Sequence, residues 1–428
     1  MPIPNNQPAK LNVFLLLLLM AFPLQQFSIQ TPITPLRPYM IMVILAGVIC
    51  LMKRFSIKFT IIDLTLFALY CFMMVTFSYA EIIPLSVQMF FGLLLLLYSF
   101  FILRLFIYRC SLTVFLQHLY FVARWFFILS FILYFAGLVA HYILGVELVV
   151  EGETHNRAVL LGVYFEGGVI PRLRGGCDSP NNFGMYAVVL FPVWLTYNTQ
   201  VKLWKFSVII VMIALTLSVT TLLAFFCMTL IFICIKFFQF NGKLKTKYAM
   251  PFGIFILVVL LLAFYLSSML LNDPDVYLNL SKGLEDRLSR ANSGSGRFEL
   301  WQYSLSLISE KPFWGYGLNQ ARVLLAPFRD VVSTHNNFLE VTLEGGAFGL
   351  LLYILLIAAL IFSLLSNALD YKEKQWITLS AVGMFIFSNA NVTMYSDSLI
   401  FFLAITSSIT VLQKTPSYFN SKPLTLNH

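Results

Sequence analysis

The sequence predicts an all-α integral membrane protein with about twelve transmembrane helices and two long external loops. Three observations carry this. The 428 residues are 59% hydrophobic, and only 11% are charged, where a soluble domain carries about a quarter. Mean hydropathy is +0.84, too high for any single core to hide the apolar residues, so lipid must solvate much of the surface. Apolar stretches of bilayer-crossing length, about 17–25 residues, recur along the whole chain.

The stretches are centred near residues 20, 46, 70, 97, 135, 190, 211, 230, 259, 355, 385 and 405. The first, from about Leu11, lacks a small-residue cleavage site and reads as a span, not a signal peptide. Leu203 to Phe240 is one long run, and Ser218-Val219-Thr220-Thr221 in its middle is the natural place for a tight turn. Cys50, Cys71, Cys110, Cys227 and Cys234 lie in or beside apolar runs, with Cys177 alone in an external loop. They form no disulfide framework and no CxxC metal pattern.

Charge placement orients the spans. With the N-terminus inside, the cytoplasmic segments hold Lys10, Lys53, Arg54, Lys58, Arg104, Arg109, Lys202, Lys205, Lys243, Lys245, Lys247, Lys372, Lys374, Lys414 and Lys422. The short external loops hold Arg37, Glu81 and Asp397. This positive-inside pattern accounts for the net charge of +9 and puts both termini in the cytoplasm. No basic helix or aromatic–basic cluster points to nucleic acid. Charges within the spans reduce to Asp63, Arg124 and Lys236 near cytoplasmic ends. A coupled transporter needs acids or broken helices near the midplane, and none is read there.

The polar chemistry gathers outside. The first long loop carries Arg172-Leu173-Arg174-Gly175-Gly176-Cys177-Asp178-Ser179-Pro180-Asn181, two arginines on a glycine-rich turn before a helix cap. Guanidinium forks suit phosphate oxygens; the alternative is a plain cap whose arginines pair with Glu166 or Asp178. The second carries Arg287, Arg290 and Arg297, then Trp301 and Lys311-Pro312-Phe313-Trp314-Gly315-Tyr316-Gly317. Amphipathic helices are expected over 283–293 and 297–310, with Arg297 and Trp301 on one face. An arginine beside an aromatic ring can hold a sugar diphosphate; the alternative is a solvated helix on the membrane surface. His335 then opens a membrane helix, either as an interfacial residue or as a base or phosphate partner. Gly345 and Gly349 are spaced to let another helix pack closely.

The run His335-Asn336, then nine residues, then Gly346-x-x-Gly349 resembles the signature of the O-antigen ligase/polymerase family. Arg297…Trp301…Pro312-Phe313-Trp314-Gly315-Tyr316-Gly317 is similar to that family's upstream segment. Arg172-x-x-Gly175 with Asp178-Ser179-Pro180-Asn181 resembles a turn common among the polymerases. The likeness is strongest over roughly 170–365. It implies a GT-C-like polytopic glycosyltransferase of the inner membrane, working at the periplasmic face on glycans carried by undecaprenyl diphosphate. One branch ligates glycan to lipid A core; the other extends a second lipid-linked glycan. Family ligases have an arginine after the serine of the turn matching Ser218, and here that position is Val219, which favours the polymerase branch.

The resemblance implies inverting transfer, with Arg297 and Arg172 on the diphosphate, Arg174 and Arg290 in support, and His335 as base or phosphate ligand. Trp301, Asn336 and Asn181 would position substrate. No cofactor or metal is expected, because the acids lack ligand spacing. Expected partners are the lipid-linked donor, the glycan acceptor, membrane lipids and a chain-length regulator protein. The expected organisation is N-terminal helices over 1–146, a loop over 147–181, central helices over 182–271, a large loop over 272–335 and C-terminal helices over 336–428.

Overall fold

The computed structural model describes residues 9–29, 35–52, 57–150, 157–166, 170–197, 203–239, 297–326, 333–366 and 369–414. The span expected near 259, the helix expected over 283–293, Arg287, Arg290 and the lysines at 243, 245 and 247 lie outside them.

Within them the chain runs through α1 (Ala9–Ala21), α2 (Pro38–Met52), α3 (Ile61–Val75), α4 (Ile83–Tyr108) and α5 (Leu112–Tyr142). Next come α6 (Pro180–Thr196), α7 (Leu203–Thr216), α8 (Val219–Gln239), α9 (Arg297–Glu310) and the single turn α10 (Ala321–Leu324). The C-terminal part holds α11 (Asn337–Leu365), α12 (Tyr371–Ser388) and α13 (Asp397–Lys414). Among the described residues, Ile61–Tyr79, α4, α5, Val219–Lys236 and α11 are long and apolar enough to cross a membrane. Shorter apolar helices cover Pro38–Cys50, Lys205–Thr216 and Asp397–Gln413. The turn expected at Ser218 is present: α7 stops at Thr216, Leu217 is left-handed (φ 48°), and α8 starts at Val219.

The first loop corrects the all-α expectation. It folds as an antiparallel meander of β1 (Val149–Val150), β2 (Arg157–Leu160), β3 (Val163–Glu166) and β4 (Ile170–Leu173). Alternation is the reason: Val163 and Phe165 face inward while Tyr164 between them is half-exposed, and Leu161-Gly162 makes a two-residue turn. A side chain at Gly162 would strike the backbone of Leu133 and Tyr134, so glycine lets the hairpin lie directly on α5.

Contacts sort the connections into two ends. At one, Arg104 of α4 pairs with Asp63 of α3, both fully buried, and Ser407 Oγ donates to Asp63 at 2.6 Å. Arg104 was expected among the solvated charges of the cytoplasmic segments and Asp63 near the cytoplasmic end of a span; burial in the bundle makes each the other's counter-charge. Lys205, expected in the same solvated class, is also buried, its Nζ 2.9 Å from the Trp194 carbonyl. The opposite end collects the sheet, the α7–α8 turn, α9, the His335 turn and the 389–396 connection. Gln25 there bonds Asp397 at 2.7 Å, and Ser86 bonds the Leu318 carbonyl at 2.6 Å. The two long loops thus share one end, opposite the Asp63–Arg104 pair.

Candidate active site

The site is organised by a break in α11. Gly346, the first glycine of the His-Asn-x9-Gly-x-x-Gly pattern, sits at φ 61°, ψ −159° inside the helix, a conformation only glycine adopts readily. The freed backbone groups are taken by Pro312 to Gly317. Tyr316 N donates to the Leu343 carbonyl and Gly317 N to the Glu344 carbonyl, each at 2.9 Å, while Ala347 N donates to the Pro312 carbonyl at 2.8 Å. A Cβ on Gly315 or Gly346 would collide with the facing backbone, so both glycines are steric necessities of this docking. Gly345 packs against Met73 and Phe72 of α3, as its spacing implied.

Before the helix, Asn336 is the N-cap: its Oδ1 accepts from Phe338 N (2.9 Å) and Leu339 N (3.3 Å). His335 stands just ahead in a left-handed conformation, φ 54°. Its neighbour Thr334 is held from three sides. Thr334 N donates to Glu340 at 2.7 Å, its carbonyl accepts from the Trp301 indole at 2.9 Å, and its hydroxyl donates to the Asn336 carbonyl at 2.8 Å. The Trp301 bond docks α9 on this turn and brings Arg297, one helical turn earlier, against His335. Burial, then the positive charge of Arg297, pushes the His335 pKa down to about 4, so the imidazole is neutral at neutral pH. Burial also lowers the Arg297 pKa, and among the described residues no carboxylate pairs with it.

The other expected residues divide. Arg174 is nearly fully buried, its Nε donating to the Leu161 carbonyl (2.9 Å) and an Nη to the Asp178 carbonyl (3.4 Å), which ties the sheet to the α6 cap. Arg172 is half-buried on β4; its Nε donates to the Thr216 carbonyl at 2.8 Å, and its guanidinium lies 5.8 Å from the Tyr164 ring centroid. It therefore stands at the α7–α8 turn, beside the Val219 position. Asn181 links that turn to the next loop, accepting from Ser218 Oγ at 2.7 Å and contacting Asn391 Oδ1 at 3.5 Å.

Two parts of this arrangement escaped the sequence reading. The connection 389–397 joins the Arg172 side to the His335 side. Asn391 meets Asn181, and Thr393 N and Met394 N donate to Asn337 Oδ1 at 2.8 and 3.2 Å. Tyr395 donates to Glu344, and Asp397 binds Arg37 and Gln25. The spacing Asn391-x-Thr393-x-Tyr395-x-Asp397 was visible, but nothing in it announces partners so far away in sequence. Glu340 and Glu344, one turn apart at the start of α11, are both buried, and the sequence reading did not count them among the charges within the spans.

Comparison with known proteins addresses the same stretch. Residues 204–354 match the family model described as O-antigen ligase. The chain is 27% identical over 108 residues to a candidate polysaccharide ligase of Rickettsia conorii, covering 22% of this chain and 25% of that protein. It is 33% identical over 106 residues to the ComP-specific O-oligosaccharyltransferase of Acinetobacter baylyi, covering 23% of this chain and 19% of that protein. The matched stretches thus span a quarter or less of either relative's length. The part of the chain that is similar to the O-antigen ligase family, residues 204–354, holds Arg297, Trp301, His335 and the Gly346 break.

Proposed function

We propose that this protein transfers a glycan from an undecaprenyl-diphosphate carrier to an acceptor hydroxyl at the periplasmic face of the inner membrane. The observation that carries this is Arg297 beside a neutral His335, held together by the Trp301–Thr334 bond at the end of the bundle that gathers both long loops. A desolvated guanidinium without a described acid partner is suited to a phosphate, and the neutral imidazole can donate one N–H to the same group. The opposite end holds Lys58, Arg109, Lys372 and Lys374, which supports assigning it to the cytoplasm.

In the transfer, the acceptor oxygen bonds to the anomeric carbon from the face opposite the carrier. The bond from that carbon to the diphosphate oxygen breaks, its electron pair stays on the diphosphate, and the sugar inverts. Arg297 stabilises that developing charge, and Arg172 supplies the second cation from the α7–α8 turn, where Val219 offers none. Arg174 is left to hold the sheet. With its pKa near 4, His335 is a weak base. It positions a phosphate oxygen, and the acceptor proton leaves to the diphosphate or to solvent.

The acceptor is a second lipid-linked glycan, on the strength of Val219; the two ligase-type matches favour the alternative, transfer to lipid A core. The test is purified full-length protein in vesicles given lipid-diphosphate-linked repeat units and, separately, lipid A core. Longer lipid-linked chains, formed in EDTA without added divalent cation, are expected. Product only on lipid A core would move the protein to the ligase branch, and magnesium-dependent product would remove the metal-free mechanism.

A further inference from the structure

We propose that Glu340 is a positioning residue for the transfer: its buried carboxylate fixes the backbone that presents His335. This rests on the glycan-transfer reading above. A carboxylate inside a helical membrane bundle is costly and is retained where it has a task. Glu340 is 4% exposed, in the first turn of α11, and it is not needed to cap the helix, because Asn336 already takes the N–H groups of Phe338 and Leu339. Its Oε2 reaches back out of the helix to Thr334 N at 2.7 Å.

Thr334 immediately precedes the strained residue. A left-handed histidine is strained and persists only where its surroundings over-determine it. The carboxylate supplies one side of that restraint, and Trp301, on the helix that carries Arg297, supplies another through the Thr334 carbonyl. A single residue, Thr334, is therefore clamped between the acid of α11, through its N–H, and the arginine-bearing helix, through its carbonyl. Glu344, one turn deeper, does the same for the other edge of the loop: it accepts from Tyr395 and from the backbone N–H groups of Asn319 and Ala321. The acid at 340 acts on the residue next to the imidazole, and the acid at 344 acts on residues just past the segment that heals the helix break.

Two substitutions separate positioning from simple support. Glu340→Gln keeps a carbonyl oxygen for the Thr334 N–H. Glu340→Leu fills the space with apolar atoms but accepts nothing, so the buried Thr334 N–H is left without its acceptor. Each full-length variant is read in two ways: turnover with KM for the lipid-linked donor, and the rate of diethyl pyrocarbonate modification at His335, resolved by mass spectrometry. Glu340→Gln is expected to match wild type in both. Glu340→Leu should melt somewhat lower than wild type yet stay folded, and, read per folded molecule, change the His335 modification rate several-fold and lose on the order of tenfold to a hundredfold in kcat at little-changed KM. Wild-type kcat and modification rate in Glu340→Leu would overturn the proposal, as would losses in Glu340→Gln equal to those in Glu340→Leu. If the wild-type protein transfers no glycan, the functional reading fails, and the modification rate still decides whether Glu340 holds His335.

Discussion

Arg37 and Arg297 lie at the same end of the bundle, and their surroundings are opposite. Arg37 is clasped by Asp178 at 2.6 Å and Asp397 at 2.9 Å, and Asp397 is bonded again by Gln25. Burial works against its charge, but Asp397 and Asp178 outweigh that, and its pKa stands above the ordinary arginine range. Arg297 is also partly buried, yet its pKa moves down, because burial costs it water and no acid among the described residues compensates. An arginine whose charge is answered inside the fold joins α1, α2, α13 and the α6 cap. One whose charge is unanswered by the described residues is the one that the proposed function assigns to an anion from outside.

That contrast can be broken at either member. The largest effect is expected at Arg297: Arg297→Ala should abolish chain extension while leaving membrane insertion and melting near wild type. Arg297→Lys should also be impaired, since an ammonium cannot reproduce the bidentate fork. Long-chain product at wild-type levels on gels would remove Arg297 from the site. Arg37→Ala should behave in the reverse manner. It leaves Asp397 buried and half-satisfied, so it should lower stability by about 3 kcal/mol and reduce activity only as far as folded protein is lost. A thermal unfolding series with activity per folded molecule checks this, and an unchanged melting temperature would dissolve the distinction.

The smallest effect sharpens the role of His335. Its pKa lies near 4 instead of 6.5, so the imidazole stays neutral from about pH 5 upward. The pH profile of kcat/KM should therefore show no inflection near 6.5 that depends on His335. Such an inflection, absent in His335→Gln, would restore the general-base role. The same shift carries a stability consequence. Between pH 6.5 and 4 the unfolded chain binds a proton that the folded chain does not, so stability falls as the pH drops through that window.

The sequence reading located α9 at its observed ends, Arg297 to Glu310, because amphipathic spacing and the preceding Gly-Ser run were both local. It foresaw the Ser218 turn and the close approach at Gly345 for the same reason. It missed the sheet, since a membrane context drew attention to long apolar runs and away from four-residue alternations. It gave Trp301 and Asn336 to the substrate, whereas the indole N–H is spent on Thr334 and the Asn336 oxygen on the helix cap.

By itself the sequence determined the solvent, the end of the bundle where polar groups collect, and the family pattern around His335, because hydropathy, charge bias and short motifs are properties of contiguous residues. Only the tertiary structure decided which charges are spent. Arg104 meets Asp63 across 41 positions, Arg37 meets Asp397 across 360, and Trp301 reaches Thr334 across 33. Pairings over such separations depend on how helices pack, and composition holds no record of them. Whether a buried charge is structural or available depends on the partner that packing brings to it, and that is what separates Arg37 from Arg297.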